Sequence, residues 1–393
     1  MDICIVAHFA YPALVGDTNG HIGGVEHQTT LLACWLAARR HNVSLVTWDE
    51  GQPSDCVING VRVLKLCHRN DGLPGIRFFH PRWTSLNAAL RNAQADVYYQ
   101  NCGEYVTGQV ALWCRRNAKK FVYSVAAQAD CDPRLPLMST VRERFLYRMG
   151  LRLADDIIVQ THVQQQMLQQ GFGRSSRVIP MPSAGPGERE YVKHDLTVRD
   201  KQRVLWVGRL CKEKRPDRFL ELARKCQDLQ FDLIGPAAES AYSEEVLTQA
   251  RQLPNVTVHG RATHKQLADF YQRAACLCCT SDNEGFPNVF LEAWSYGLPL
   301  ISTLDPDQII VREGLGDIAG DTDGLCLAIR KLLGNTEQWR NASEKARHYY
   351  LQNHHVESIM PQFEYAFLQV LRRTPEQEPS FHVHESDPRR PRE

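Results

Sequence analysis

The stretch at residues 280–303, TSDNEGFPNVFLEAWSYGLPLIST, decides the architecture. An apolar run at 274–279 precedes it, and Asn283-Glu284-Gly285 breaks that run. Phe286-Pro287 then turns the chain into a helical stretch at 288–296. Gly297-Leu298-Pro299 closes it ahead of a second apolar strand. The order is strand, loop, helix, loop, strand, which is the unit of a parallel sheet. Pro287 suits the first helical position, where an N–H would have no partner inside the helix. The amides of Asn288 and Val289 are then left open at the positive end of the helix dipole, a terminus suited to a phosphate or to sugar hydroxyls. Glu284 lies in the loop before the helix, and Glu292 sits eight positions on, inside it.

Outward from this stretch the same alternation runs through most of the chain. Residues 2–7 read as a strand, 9–21 as a loop, and 26–40 as a helix with Leu31, Leu32, Trp35 and Leu36 on its apolar side. A strand at 43–48 is followed by a hairpin at 57–63 on Asn59-Gly60. Strands at 97–100, 121–125, 156–160 and 177–180 alternate with helices near 82–94, 104–117, 138–152 and 162–170. Pro182, Gly185, Pro186 and Gly187 then break the rhythm and mark a linker. Beyond it, strands at 203–207, 231–234, 256–259 and 275–279 alternate with helices at 217–226, 242–252 and 264–273, the last with a Thr263/Gln266 capping box. Helices at 321–333 and 336–350 follow. A final helix carries the stripe Val356, Ile359, Phe363, Phe367 and Val370, which Pro361 must start or kink. The expected class is α/β: two Rossmann-like domains with parallel sheets, at 1–182 and 202–352, joined by a linker at 183–201. The helix at 353–373 is expected to cross back to the first domain, and 374–393, with little to bury, to be disordered.

Composition excludes several classes. A chain of 393 residues, 43% hydrophobic and 23% charged, is an ordinary globular composition with room for two cores. A net charge of +1 argues against nucleic acid as a partner. The start, Met1-Asp2-Ile3-Cys4, has no basic segment of a signal peptide, and no apolar run reaches the roughly 18 residues of a membrane span. Thirteen scattered cysteines read as free thiols of a reducing compartment, so the expected location is cytoplasmic. Cys276 and Cys279 form a C-x-x-C inside a strand, where buried thiols are the better reading.

In a sheet of this kind chemistry belongs outside the carboxyl ends of the strands. Three segments are placed there. Gly23-Gly24 opens the first helix and lets a ligand approach the backbone. Gly208-Arg209, with Lys212, Lys214, Arg215 and Pro216, follows a strand and offers cations for an anion. The third is the opening stretch. A nicotinamide site is weakly supported: Asp49 follows the second strand, yet Gly20-His21-Ile22-Gly23-Gly24 is not G-x-G-x-x-G.

Taken together, Gly23-Gly24-Val25-Glu26, Gly208-Arg209-Leu210 with Lys214-Arg215-Pro216, and Glu284-Gly285-Phe286-Pro287-Asn288 with Glu292 and Gly297-Leu298-Pro299 resemble the family 4 glycosyltransferases. The glutamates eight apart with G-F-P-N between are the most specific part. The resemblance implies the GT-B architecture, with the two domains facing across a cleft, and transfer of a sugar from a nucleotide-sugar donor (UDP- or GDP-sugar) with retention of configuration. It implies that Arg209 and Lys214 hold the donor diphosphate, that Glu284 binds the donor sugar together with the amides of Gly285, Phe286, Asn288 and Val289 around Pro287, and that Glu292 takes the ribose. Gly23, Gly24 and Gly208 would let the backbone close on the phosphates. The acceptor would be a glycan or lipid-linked, in polysaccharide or glycolipid biosynthesis. An epimerase on the same fold and a non-catalytic nucleotide-sugar-binding protein are the alternatives.

Two departures concern the acceptor half. Many relatives carry a histidine where this chain has Ala126, leaving Gln128, Asp130 or Asp132 for that position. Their glycine-rich loop after residues 300–303 is replaced by Asp305-Pro306-Asp307. Asp130-Cys131-Asp132 and Asp305-Pro306-Asp307 both mimic D-x-D, but neither stands where this fold would use a metal, so no metal and no obligatory cofactor are expected. Residues 115–152 hold nine Lys/Arg against three Asp/Glu. The Val141/Phe145/Met149 face of the helix there reads either as a peripheral membrane contact or, the reading preferred, as a face packed on its own sheet.

Overall fold

The computed structural model describes residues 1–16, 23–186, 191, 202–238 and 240–373. The tail at 374–393, most of the linker at 183–201 and residues 17–22 of the first loop lie outside the described residues.

Strands β1 (Asp2–Val6), β2 (Asn42–Thr47), β3 (Cys56–Ile58), β4 (Val61–Lys65), β5 (Val97–Asn101), β6 (Lys120–Ser124), β7 (Asp156–Val159) and β8 (Arg177–Val178) form one sheet, ordered β3-β4-β2-β1-β5-β6-β7-β8. Strands β9 (Arg203–Val207), β10 (Gln230–Ile234), β11 (Val256–Gly260), β12 (Cys276–Cys279), β13 (Leu300–Ser302) and β14 (Gly316–Ile318) form the other, ordered β11-β10-β9-β12-β13-β14. All pairings are parallel except β3 with β4, joined at Asn59 and Gly60. Both turn residues have positive φ, 51° and 78°, as a two-residue hairpin of this hand requires.

Each sheet is buried on both faces, because successive side chains alternate sides. Ile3 and Ile5 of β1 enter one core of the first half, while Cys4 and Val6 enter the other. Val204 and Trp206 of β9 face away from Leu205 in the same way. The strand order reverses direction beside β1, between β2 and β5, and beside β9, between β10 and β12. The loops after β1, β5, β9 and β12 therefore open the crevices where such sheets bind ligands.

The final helix, Val356–Arg372, packs on the first half: Ile359, Phe363, Phe367 and Val370 share a core with Ile3 and Ile5, and the Phe367 ring lies 5.5 Å from that of Tyr99. Burying each such side chain contributes roughly 1.5–3 kcal/mol, enough to hold the helix there. It neither starts nor breaks at Pro361, which is exposed inside it, so the carbonyl left without a partner can meet water. Two crossings join the halves side by side: Ser183 N donates to His354 O at 2.7 Å, and Tyr350 Oη to Ser183 O at 2.9 Å.

Three local expectations are corrected. A short helix, Tyr11–Val15, sits within the stretch read as loop, started by Pro12 and stopped by Gly16 in the left-handed region (φ 72°). Strand β14 is too short to show a period. The helix Val141–Leu153 packs through Leu146, Tyr147, Gly150 and Leu151, so the Val141/Phe145 edge is not the face on the sheet. Gly108 and Gly150 let it approach the helix Tyr105–Arg116 so closely that added Cβ atoms would overlap the facing backbone.

Candidate functional site

Thr280, directly after β12, binds the loop that follows β9. Its Oγ1 accepts from Trp206 Nε1 at 3.0 Å and is within bonding distance of the carbonyls of Lys214 and Arg215, at 3.0 and 2.8 Å. This brings the Lys214 ammonium onto Glu284, where it pairs with Oε1, the same oxygen that accepts from Ser281 Oγ at 3.0 Å. Arg215 is occupied differently: it bonds Asp217 at 2.8 Å and Asp282 at 3.2 Å, beginning the helix Pro216–Lys225. Arg209 is exposed and has no side-chain hydrogen bond or ion pair to a described residue. Of the cations read from the sequence, Lys214 pairs with Glu284, while Arg215 neutralises neighbouring carboxylates.

The helix Asn288–Ser295 begins one residue later than expected. Pro287 is its N-cap, with extended backbone (φ −68°, ψ 121°), and Asn288 is the first helical residue. The reason is local: an N-cap carbonyl accepts the first helical bond, and Phe290 N reaches Pro287 O at 3.0 Å. The amides of Asn288 and Val289 bond no described residue, so the donors expected at this terminus are present. One turn on, Glu292 Oε2 accepts from Tyr271 Oη at 2.6 Å. Tyr271 stacks on Tyr296, with ring centroids 5.7 Å apart and planes 8° from parallel, which fixes the direction of that carboxylate.

The halves meet over this helix start. A Cβ on Gly24 would overlap Asn288 Nδ2, and one on Gly285 would lie 2.8 Å from Ala126 O. Gln28 Nε2 donates to Pro182 O at 2.6 Å and reaches Asn288 Oδ1 at 3.4 Å. Asp307 caps the helix His162–Phe172 across the cleft, accepting from the amides of His162 and Val163 at 2.7 and 3.0 Å. Asp305 accepts from Ile310 N and Val311 N at 2.7 and 3.2 Å. Asp305 and Asp307 thus serve helix termini.

The three acceptor-side residues read from the sequence lie on a short 3-10 turn, Gln128–Cys131, and just after it. Asp130 is buried and accepts from the amides of Gly103 and Ala127, both at 3.2 Å, tying the loop after β6 to the loop after β5. Burial holds its carboxyl above the usual carboxylate range, and those amides offset part of the rise. Asp132 bonds Arg134 at 3.0 Å, and Gln128 Nε2 donates to Met167 Sδ at 3.4 Å.

More prominent is a group the sequence reading did not single out. Two adjoining cavities in the first half share His8, Phe9 and Glu104. Gly23, Gly24, Glu26 and Asn101 line the first; Trp48, Arg69, Arg82, Tyr105 and Glu143 line the second. Glu104 is the N-cap of the helix Tyr105–Arg116. Burial, with the negative charges of Glu26, Asp130 and Glu143, pushes its carboxyl up to about 7. Burial and then Arg82 push the His8 imidazole down to about 4, so the ring is neutral near pH 7. His8 Nδ1 stands 3.9 Å from Glu104 Oε2, and its Nε2 is buried without a partner among the described residues. An unpaired buried polar atom costs roughly 1–3 kcal/mol, which a hydroxylated ligand would recover. Both residues follow strands that flank the switch point of the first sheet, the one signal that could have drawn attention to them.

Comparison with known proteins gives a consistent result. Residues 23–184 match the family model described as glycosyl transferase 4-like domain, and residues 188–349 match that of glycosyl transferases group 1. The chain is 26% identical over 309 residues to the amylovoran biosynthesis glycosyltransferase AmsD of Erwinia amylovora, covering 76% of this chain and 83% of that one. It is 22% identical over 325 residues, 81% of this chain and 87% of the relative, to a Campylobacter jejuni alpha-1,4-N-acetyl-D-galactosaminyltransferase named for a diNAcBac-PP-undecaprenol glycan. The fold superposes on HepE of Anabaena, solved with UDP and glucose, at a TM-score of 0.73 and 17% identity, covering 94% of this chain and 99% of that one.

Proposed function

The chain belongs to the glycosyl transferases group 1, of family 4 type, and is a glycosyltransferase; from that premise we propose that it moves a sugar from a UDP- or GDP-sugar to a glycan or lipid-linked acceptor with retention of configuration. The observation that carries the reading is the pairing of Lys214 with Glu284 in the loop that leads into the open amides of Asn288 and Val289. Arg209 and Lys214 take the donor diphosphate, Glu284 the sugar hydroxyls, and Glu292, held by Tyr271, the ribose. As the bond from the anomeric carbon to the phosphate oxygen breaks, negative charge grows on the leaving nucleotide. The two cations and the helix-start amides stabilise that charge more as it grows. The acceptor oxygen bonds the anomeric carbon on the face the phosphate leaves, and its proton passes to the leaving phosphate. No carboxylate need act as a covalent nucleophile, and no step requires a metal.

The acceptor enters from the first half, where His8 and Glu104 offer a neutral imidazole and a carboxyl close to its titration point. The names of the Erwinia and Campylobacter relatives support polysaccharide or lipid-linked glycan assembly as the setting. The proposed location is the cytoplasm, peripheral to the inner face of the membrane. Among the described residues no helix is long and apolar enough to cross a membrane.

The deciding experiment is incubation with a panel of nucleotide sugars and a cell lipid extract, following nucleotide release and the anomeric configuration of the product. Release that depends on acceptor, with retention, is expected. Release indifferent to acceptor, or binding without turnover, would favour an epimerase or a binding protein instead.

A further inference from the structure

Where the chain crosses between the halves, one buried side chain touches both the crossing and the donor loop. His354, 1% exposed, fills the joint between the helix Thr336–Asn353 and the final helix. Its carbonyl accepts from Ser183 N at 2.7 Å, and its Nδ1 lies 2.9 Å from Met181 O. A carbonyl cannot donate, so Nδ1 carries the proton of that bond. Burial pushes the imidazole down to about 4, so the ring is neutral near pH 7 and its Nε2 is an acceptor.

Three successive carbonyls where the chain leaves the first half are each taken by a different side chain. Met181 O accepts from His354, Pro182 O from Gln28 Nε2 at 2.6 Å, and Ser183 O from Tyr350 Oη at 2.9 Å. Gln28 also reaches Asn288 Oδ1 at 3.4 Å, which ties the crossing to the start of the helix Asn288–Ser295. His354 supplies a second tie through its ring, whose centroid lies 5.2 Å from that of Phe286 and 6.0 Å from that of Trp294. Phe286 stands two residues after Glu284, and the Met181 side chain is buried in the same cluster as Phe286 and Trp294. Apolar packing does not call for a histidine here: its Nε2 is buried without a described partner, and a phenyl ring in that space would leave no such atom. What a phenyl ring cannot do is donate to Met181 O while lying against Phe286.

We propose that His354 is a positioning residue of the donor site: by bonding Met181 O with one ring atom and packing the ring on Phe286, it fixes the loop Glu284-Gly285-Phe286 relative to the crossing between the halves. The inference rests on the donor role proposed for Glu284 and adds to it a residue that touches no substrate. A displaced Phe286 moves Glu284, two residues away, off the position in which it meets Lys214 and the sugar.

The test is steady-state transfer by the full chain with the donor varied, beside a thermal melt of each variant. His354→Phe keeps a ring and loses the donor to Met181 O, whereas His354→Asn keeps a donor group and loses the ring. Each breaks the tie, so each should raise the donor KM by about tenfold with the acceptor KM unchanged. Tyr350→Phe removes only the neighbouring bond to Ser183 O, and should lower the melting temperature without moving the donor KM. Phe286→Leu breaks the ring contact from the other side: it should raise the donor KM by itself, and adding His354→Phe should then raise it little further. His354 variants that lower the melting temperature and leave the donor KM unchanged overturn the proposal, as does a double variant whose two effects multiply. A wild type that neither binds UDP or GDP nor transfers sugar removes the donor assignment, and this inference with it; normal wild-type turnover with an unchanged donor KM in the His354 variants removes this inference alone.

Discussion

Asn288 lies against Gly24 across the cleft, its Nδ2 occupying the space a Cβ on Gly24 would need, while its Oδ1 faces Gln28 Nε2 at 3.4 Å. The first residue of the helix Asn288–Ser295, the proposed donor site, is thus held in place by the opposite domain. Gly24 is required by this close approach rather than by its own backbone angles.

Gly24→Ala should therefore act on turnover and leave stability nearly intact. The added methyl can move the end of the Asn288 side chain, which costs little, but the move disturbs the helix start that receives the donor. A misplacement near 1 Å at a reacting centre costs on the order of 10²-fold in rate. Steady-state kinetics beside a thermal melt check this; a large drop in melting temperature with normal turnover would contradict it.

Lys214→Ala should weaken donor binding and slow transfer together. It removes a charge-assisted contact worth roughly 1.5–3 kcal/mol, or about 10- to 150-fold in affinity, and frees Glu284 from its cation. Glu284→Ala should lose nearly all transfer while still binding the free nucleoside diphosphate. Calorimetric titration with the diphosphate and with the intact donor separates the two roles; near-normal turnover by Glu284→Ala would remove the assignment.

Glu104 should make stability depend on pH. Its folded-state value is raised from 4.5 to about 7, so its contribution is full below about pH 4.5 and is lost as pH rises through about 7. Its side chain is 38% exposed to the cavity, so solvent screening keeps the effect below that of a fully buried carboxyl. Glu104→Gln cannot ionise, and relative to the wild type it should gain stability between about pH 5 and about pH 8. Urea unfolding of both proteins across that range tests the sign. Parallel curves would show that Glu104 titrates as an ordinary surface group.

Asp307→Ala should loosen the contact between the halves. The carboxylate caps two amides of the opposite domain's helix, and loss of such a cap typically costs about 1 kcal/mol. The expected result is a slightly lower urea midpoint with unchanged diphosphate affinity, because the Asp307 carboxylate bonds helix amides of the other half and not Lys214. Asp307→Asn, which keeps an acceptor oxygen, should restore most of the loss.

The alternation of strand and helix was legible because its signals are local: apolar runs of four or five residues, an Asn-Gly turn, and the Thr263/Gln266 capping box, present in the structure as read. The residues proposed for the donor, Glu284, Glu292, Arg209 and Lys214, could be picked out because each sits near a strand end or helix start with recognisable spacing. His8 and Glu104 were not. One follows a strand as a lone polar residue, and the other is an N-cap whose capping box with Thr107 signals a helix start and nothing about a ligand. The Val141/Phe145 edge was misjudged for a related reason. Helical spacing groups residues by face, but Gly108 and Gly150, far apart in sequence, decide which face the neighbouring helix covers.

The sequence by itself determined two parallel α/β halves, the helix start at Asn288 and the ionic groups around it, since these depend on residues within one or two turns of each other. Tertiary structure alone decided which cation meets Glu284, that Asn288 rests on Gly24, that Asp307 caps a helix of the other half, and that burial, with Glu26, Asp130 and Glu143, raises the Glu104 carboxyl. Each of these is a distance between residues far apart in the chain. Pairing, burial and charge coupling depend on that distance, and no local pattern encodes it.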